Sequence, residues 1–407
     1  MQNIKAQALM IKKLLPYVII ISHASSIQAA EWTLDGRINQ DMIYDDNIRM
    51  QSGEDKRSTF IYEFSPQLNA GYKSGVTQFT ANVGYGVEVY TNKLETTRQK
   101  VNVSAEGSYQ TQSVNYGLNV SYNLQPARNT AADDTGNFNS NADSASWTIS
   151  PTMAYTLTEQ DTLNASVQYS QSLYSKDDNA TVSDSLADNG NIGFNLGWAH
   201  RWSEKYTSTL SAGATFYKSD GDVRKTNNKN YSLTLGNSYQ FNERWNVIFD
   251  AGYRYTDSEN TLAGLAFNNT SQGFLINTAL NYKGEVISSG LSFNQSMNPG
   301  GNGELNQQSR VALDFSYRLT ETLMAQASTQ YQKTKSVSTF IAMNDRSNIT
   351  TNAALNWEIT VFVFLNASYT YGKQISEQLL NGTADNPDSN RIMLTLGYNW
   401  QGLSLSR

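Results

Sequence analysis

The sequence predicts an all-β fold, a closed antiparallel transmembrane β-barrel of about 18 strands. Three observations predict it. Apolar residues alternate with polar or small ones in segment after segment of the 407 residues. Short turns and long polar loops alternate between those segments. Six of the seven tryptophans fall beside the short turns or near the ends of the barrel segment.

The alternation has period two, the signature of a strand with one apolar face. In VTQFTANVGYGVEVY (76–90), Phe79, Ala81, Val83, Tyr85, Val87 and Val89 share one side. In NIGFNLGWAHRW (191–202) the even positions Ile192, Phe194, Leu196, Trp198 and Trp202 do so. NYSLTLGNSYQF (230–241), RVALDFSYRL (310–319) and RIMLTLGYNW (391–400) repeat the pattern. About eighteen such segments of roughly nine to twelve residues can be marked, the length that crosses a bilayer when tilted.

The short turns fall near 73–75, 111–113, 158–160, 203–205, 242–244, 283–285 and 320–322, and around Glu358. Many read polar-Glu-polar, a turn preference rather than a repeat unit. Long segments such as 45–58, 127–144 and 375–390 separate them. In an outer membrane the short turns face the periplasm and the long loops the exterior. An even strand number then brings both ends of the barrel to the periplasmic side.

Alternation alone does not say which face is inside, because a soluble sandwich alternates too. The second face here is rich in amides, hydroxyls and glycine, as in Asn115, Gly117, Asn119, Ser121 and Asn123. Trp32, Trp198, Trp202, Trp245, Trp357 and Trp400 sort to one end of the strands. A soluble core would not sort its tryptophans, whereas a membrane interface does, since indole is apolar in body and polar at its N–H. The apolar face is therefore expected to meet lipid.

Composition sets limits. After residue 30 no apolar run approaches the roughly 18 residues of a membrane helix, and mean hydropathy is −0.51. The formal charge of −6 provides no basic stripe for nucleic acid. There is no cysteine, which removes disulfides, thiol catalysis and Cys-ligated zinc. Residues 1–29 read as a signal peptide: Lys5, Lys12 and Lys13 precede an apolar stretch, Leu14 to Ser22, and IQAA (27–30) offers the cleavage site. Residues 30–407 form the expected outer-membrane barrel. Its first strand starts within a few residues of cleavage, so no separate plug domain is expected.

His200 is the one histidine beyond the leader. It lies on the apolar side between Trp198 and Trp202, a headgroup-level position. A Ser-His hydrolase needs a base beside a serine, so no enzyme activity, cofactor or metal is expected. The acidic loop KDDNATVSDS (176–185) reads as a solvated loop rather than a Ca²⁺ site.

Parity places Asp35, Asp41, Glu63, Glu88, Glu106, Asp250, Asp314 and Glu358 in the lumen. It places Arg37, Arg201, Arg254, Arg310, Arg318 and Arg391 there as well. The acids gather on the first four strands, and Arg254, Arg310 and Arg318 lie nearly opposite. That arrangement implies a transverse field; the alternative is local pairing, with Asp314 between Arg310 and Arg318. Inward aromatics are few, Tyr90 and Tyr217 among them. An amide- and hydroxyl-lined lumen suits uncharged, hydroxyl-rich solutes. Two loops carry apolar patches that suit a gate folded into the lumen or a contact with lipopolysaccharide. They are TLAGLAF (261–267), with Leu262, Leu265 and Phe267, and STFIAM (338–343).

The first strand ends in YDDNIRM (44–50). Tyr44, Asp45, Asp46 and Asn47 in this place resemble the motif of a family of outer-membrane β-barrel porins encoded among exopolysaccharide synthesis and export genes. The resemblance implies a passive channel for export of an extracellular polysaccharide, acting with a periplasmic polysaccharide-export protein. Outer-membrane lipid and lipopolysaccharide, the polysaccharide and the barrel assembly machinery are the other expected partners. A general or sugar-selective diffusion porin, or a surface binding or adhesion barrel, are the alternatives. The sequence departs from the usual ending of such barrels, an aromatic residue, because QGLSLSR follows Trp400. The last strand is accordingly expected to stop early, near residue 401, or the assembly machinery to read Trp400 internally.

Overall fold

The computed structural model describes residues 30–406 except 93–96, 133–135, 137, 176–185, 222–223, 263, 300–304, 337–344 and 377–385. The expected signal peptide, the acidic loop 176–185 and the apolar patch 338–343 lie outside the described residues.

Eighteen strands follow one another along the chain. The first six are β1 (Glu31–Asp45), β2 (Thr59–Lys73), β3 (Thr77–Tyr90), β4 (Arg98–Gln110), β5 (Val114–Pro126) and β6 (Asp143–Thr156). Then come β7 (Asp161–Tyr174), β8 (Asp188–Ser203), β9 (Tyr206–Asp220), β10 (Arg224–Gln240), β11 (Trp245–Leu262) and β12 (Leu265–Lys283). The last six are β13 (Ile287–Pro299), β14 (Leu305–Arg318), β15 (Leu323–Ser336), β16 (Arg346–Glu358), β17 (Val363–Ser376) and β18 (Asp388–Ser406). Each pairs antiparallel with its neighbours in sequence, and β18 returns to β1, so the sheet closes. Among the described residues the only helical pieces are two short 3-10 turns, Gly53–Asp55 and Ala127–Thr130.

The two faces divide as the alternation requires. Leu196, Leu233, Leu313 and Leu394 are 66%, 56%, 46% and 42% exposed, and they share a continuous outer belt with many other large apolar side chains. A belt of this extent is incompatible with water and is the surface a hydrocarbon phase selects. The six tryptophans named above are all exposed at its periplasmic edge. Tyrosines extend the girdle there: Trp32 and Tyr72 have ring centroids 4.6 Å apart, Trp245 and Tyr282 4.8 Å. The most buried side chains are instead mostly polar, including Asn228, Thr256, Asn306, Gln332 and Thr334 on the inner face. Burial in this fold lies inside the extracellular half of the lumen.

Three features differ from the sequence expectation. The last strand does not stop near residue 401; it continues to Ser406. Opposite β1 its register slips by one residue between Trp400 and Leu403, and Gly402 takes a φ of 65°. The extra residue of this bulge changes the parity. Leu403 and Leu405, at odd positions, thereby join Trp400 on the lipid side, with exposures of 59% and 66%.

The segment 261–267 is not a loop folded into the lumen. It is the tip of a hairpin whose pairing continues through Asn260–Phe267 to Leu262–Leu265, with Gly264 at positive φ in the turn. Leu265 is 75% exposed. Strand formation uses the same alternation that the patch displays, so the patch extends the β11–β12 hairpin, where contact with lipopolysaccharide is the other expectation for it.

The wall also overlaps itself. β12 pairs β13 only over Ile276–Lys283, whereas its other edge pairs β11 up to Leu265. Above that point Arg254, on the inner face of β11, donates through Nη2 to Gln307 Oε1 at 2.8 Å. Gln307 has the parity of the lipid-facing Val311 and Leu313. The upper β13–β14 hairpin therefore lies on the lumen side of β11 and β12. Gly273 makes room for this crossing, since a Cβ there would sit 2.9 Å from Arg254 Nη2.

Candidate functional site: a constricted lumen

The segment after β5 turns into the barrel instead of standing outside it. Asn348 Nδ2 on β16 donates to Ala132 O at 2.8 Å, and Gln374 Nε2 on β17 donates to Gly136 O at 3.3 Å. Gly136, with a φ of 74°, rests against Arg346; a Cβ would meet its Cδ and Nε at 2.7 Å. On the return, Arg49 Nη2 donates to Asn141 Oδ1 at 2.8 Å and Arg98 Nη2 to Asn141 O at 2.8 Å. β16 and β17 lie seven and six strands from β5 around the closed sheet. The loop thus crosses most of the lumen and narrows it near the extracellular end.

Beneath the loop is a cavity of about 280 Å³ bordered by Asp45, Glu88, Tyr90, Arg128, Asn348 and Arg391. Ile43 and Ile61, which face each other across β1 and β2, are buried beside it. Its charges are organised as a chain. Lys100 Nζ is 2.9 Å from Glu63 Oε2 and also pairs with Glu88. The Tyr90 hydroxyl donates to Glu88, and the Arg128 guanidinium lies 5.0 Å from the Tyr90 ring centroid. Arg98 pairs with Asp143 at 3.2 Å. The acids of β2 and β3 are thus answered locally, which weakens the expected transverse field. Lys100 was missed, although the parity that places Glu106 inward also places Lys100 there.

The remaining expected lumen residues are dispersed. Asp35 accepts Asn69 Nδ2 at 2.6 Å and borders a cavity of about 350 Å³ with Glu106. Asp41 accepts the Thr395 hydroxyl at 2.5 Å. Arg37 donates to Asn39 Oδ1 and stacks 4.0 Å from the centre of the Phe364 ring. Phe364 is an inward aromatic that sequence reading passed over. It covers Gly397, where no Cβ could fit beneath it. Asp250 accepts Asn277 Nδ2 at 2.8 Å. Arg254 and Tyr217 are each only 2% exposed.

Arg310 is bonded to Gln332 Oε1 through Nε at 3.0 Å and Nη2 at 2.6 Å. Asp314 and Arg318 border a periplasmic-end cavity of about 680 Å³, and no ion pair of Asp314 with either arginine occurs among the described residues. Arg201 donates to the carbonyl of Glu159 at the periplasmic rim, and Glu358 is exposed where β16 ends. Arg391 stands opposite Asp45 in the β1–β18 register.

The YDDN stretch has a definite place. Tyr44 faces outward and packs on Phe60, ring centroids 4.8 Å apart. The next three residues join β1 to β18. Asp45 Oδ1 accepts the Ser389 hydroxyl at 2.8 Å, and the Asp46 carboxylate accepts both N–H groups of Asn390. Asn47, with no exposed surface, donates to Asp388 O at 2.7 Å and brackets Gln51. Lys56 Nζ reaches Asp388 at 2.6 Å, and that hydrogen bond raises the ammonium pKa above its ordinary value.

His200 is on the outer face, where its Nδ1 is 2.8 Å from Asp161 Oδ1. The same oxygen accepts Trp198 Nε1–H at 3.0 Å. Its ring partner in the bond is a carboxylate, not a serine. Among the described residues no group of three or more His, Cys, Asp or Glu side chains could hold a metal ion.

No family model and no curated protein sequence matches the chain. Solved structures do. The FrpB iron transporter of Neisseria meningitidis, in its apoprotein form, is similar with a TM-score of 0.51 and 9% identity, over 90% of this chain and 81% of that one. BauA, the ferric preacinetobactin receptor of Acinetobacter baumannii, is similar with a TM-score of 0.50 and 10% identity, over 91% and 80% of the two chains. OccAB2 of the same organism gives 0.46 and 12%, over 91% and 98%. At such identities the likeness establishes the fold: this chain has the β-barrel architecture of Gram-negative outer-membrane proteins, in agreement with its apolar belt and tryptophan girdle.

Proposed function

We propose that the barrel is a passive outer-membrane conduit through which an extracellular polysaccharide leaves the cell. The observation that carries this reading is the chemistry of the lumen. Five of its charges pair within the wall, as Glu63–Lys100–Glu88 and Arg98–Asp143, and others such as Asp35, Asp41, Asp250 and Arg310 are held by neighbouring amides or hydroxyls. What remains to meet a solute is mainly amide and hydroxyl, which suits a hydroxyl-rich polymer better than a small ion. The YDDNI resemblance supports the same reading. A barrel of this kind has no phosphate-binding loop, so the driving force comes from polymerisation or from a periplasmic export protein that delivers the chain to the periplasmic end.

Deletion of the gene tests the proposal. Surface polymer should fall and periplasmic polymer should rise, and the wild-type gene should restore export. Normal surface polymer with reduced uptake of a small sugar would overturn it in favour of a diffusion porin.

A further inference from the structure

The inner wall of β14–β17 carries a row of polar side chains away from the ion-paired cluster of β2 to β4. Register places Arg310 beside Gln332, Gln332 beside Asn348, and Asn348 beside Gln374. One step toward the exterior, Thr334 stands between Gln308 and Arg346. Cross-strand neighbours of this kind lie about 5 Å apart, so the four strands present a continuous polar track around part of the constriction.

Several atoms of the track are buried and have no partner. Gln332 and Thr334 have no exposed surface, yet Gln332 Nε2 and Thr334 Oγ1 make no hydrogen bond. Gln374 Oε1 is likewise buried and unpaired. Native proteins pair nearly all such groups, so each orphan calls for a partner that the protein itself does not supply. Two other donors of the track, Asn348 Nδ2 and Gln374 Nε2, are occupied by backbone carbonyls of the crossing loop, Ala132 O and Gly136 O. A carbonyl is an acceptor, as a sugar hydroxyl can be. The orphans comprise an amide N–H donor, an amide acceptor and a hydroxyl that does both.

We propose that Gln332, Thr334, Asn348 and Gln374 form a binding track for a neutral, hydroxyl-bearing saccharide, and that the crossing loop occupies part of it in this state. This rests on the reading of the lumen as a saccharide conduit and adds where the polymer is held. Arg310 is turned away from a ligand role because its guanidinium is spent on Gln332 Oε1. It orients that amide so that Nε2 is left as the free donor. Arg346, the other charge beside the track, is packed against Gly136 of the crossing loop, while Gln332, Thr334 and Gln374 offer amide and hydroxyl groups, which suits a neutral sugar better than a polyanion. The loop's carbonyls leave when hydroxyls replace them, one hydrogen bond exchanged for another.

Planar-bilayer recording of the full barrel tests this with maltohexaose as the probe and a polyethylene glycol of equal size as the control. The glycol has ether acceptors but no donors along its chain. Maltohexaose should interrupt the current at a concentration at least tenfold below that of the glycol. Thr334→Val, which removes no hydrogen bond present in the structure, should raise the apparent Kd about threefold, and Gln332→Leu with Thr334→Val about tenfold. Unchanged single-channel conductance in Thr334→Val confirms that the wall is intact. A shortened loop lacking 132–137 should bind maltohexaose more tightly, since two donors are released.

Equal block by sugar and glycol, or block unaffected by both variants, would reduce the track to a hydrated wall and overturn the proposal. Stronger block by a hyaluronan oligomer than by maltohexaose would overturn its neutral class. If no saccharide blocks but deletion of the gene still removes surface polymer, the track fails while the conduit stands. If surface polymer is also normal, both fail.

Discussion

Asp46 and Asn390, 344 positions apart in the chain, are joined by three hydrogen bonds where the barrel closes: Asn390 N–H and Nδ2–H each donate to the carboxylate at 2.7 Å, and Asp46 N–H donates to Asn390 O at 3.1 Å. Asp45–Ser389 and Asn47–Asp388 flank them. The YDDN stretch is thus a clasp between the first and last strands. Asn47 is buried with its amide fully used, so Asn47→Ala should strand the Gln51 N–H and the Asp388 carbonyl and cost about 1–3 kcal/mol. The urea midpoint of unfolding should fall accordingly, while Tyr44→Phe, whose ring stays on Phe60, should be near neutral.

The assignment of faces is tested on adjacent residues of β14. Leu313 is 46% exposed on the lipid side, and Asp314 borders the periplasmic-end cavity. Leu313→Arg should cost about 2–4 kcal/mol near mid-membrane. Asp314→Asn should leave folding intact. The reverse pattern in refolding into lipid vesicles would invert the barrel.

Lumen charge should set ion preference, and stability only where a buried partner is left unpaired. Replacing Arg310 and Arg318 by glutamine removes positive charge and should shift reversal potentials toward cations. Lys100→Met should shift them further, because it releases Glu63 and Glu88 together. It should also lower stability by about 1–3 kcal/mol, since Glu88 is only 2% exposed.

The bulge near the end of β18 depends on one glycine. Gly402 has a φ of 65°, and a Cβ there would lie 1.5 Å from Leu34 O. Gly402→Ala must undo the bulge or break the last rungs, at a cost of at least about 2 kcal/mol. The fraction of barrel that resists SDS without heating should drop. Deleting Gly402 should cost less, because it removes the inserted residue and leaves Leu403 and Leu405 on the lipid side by plain alternation from Trp400.

Orientation is tested by labelling. Glu54, exposed in the 3-10 turn beyond β1, and Glu204, exposed between β8 and β9, lie at opposite ends of the barrel. Glu54→Cys should react with an impermeant thiol reagent on intact cells. Glu204→Cys should react only after the outer membrane is opened.

What the sequence determined by itself was everything that depends on period and parity. Eighteen strands, the lipid-facing belt, the end to which Trp198 and Trp245 sort, and the inward placement of Glu63 and Arg310 all follow from side chains alternating every second residue. Lys100 was available from the same rule. The tertiary structure alone decided what depends on contacts between distant segments or on a single inserted residue. The loop after β5 is polar whether it stands in water or crosses a polar lumen, so its composition does not tell which; only Asn348 and Gln374 waiting on the far wall do. Asp45, Asp46 and Asn47 carry no local sign of their role because their partners at 388–390 lie at the other end of the chain. Gly402 shifts the register by one, and parity counted from Trp400 cannot see an insertion that its own strand absorbs. Periodicity is local and accumulates over every strand, whereas closure, crossing and register each turn on a few contacts that come together only when the sheet has curled round to meet itself.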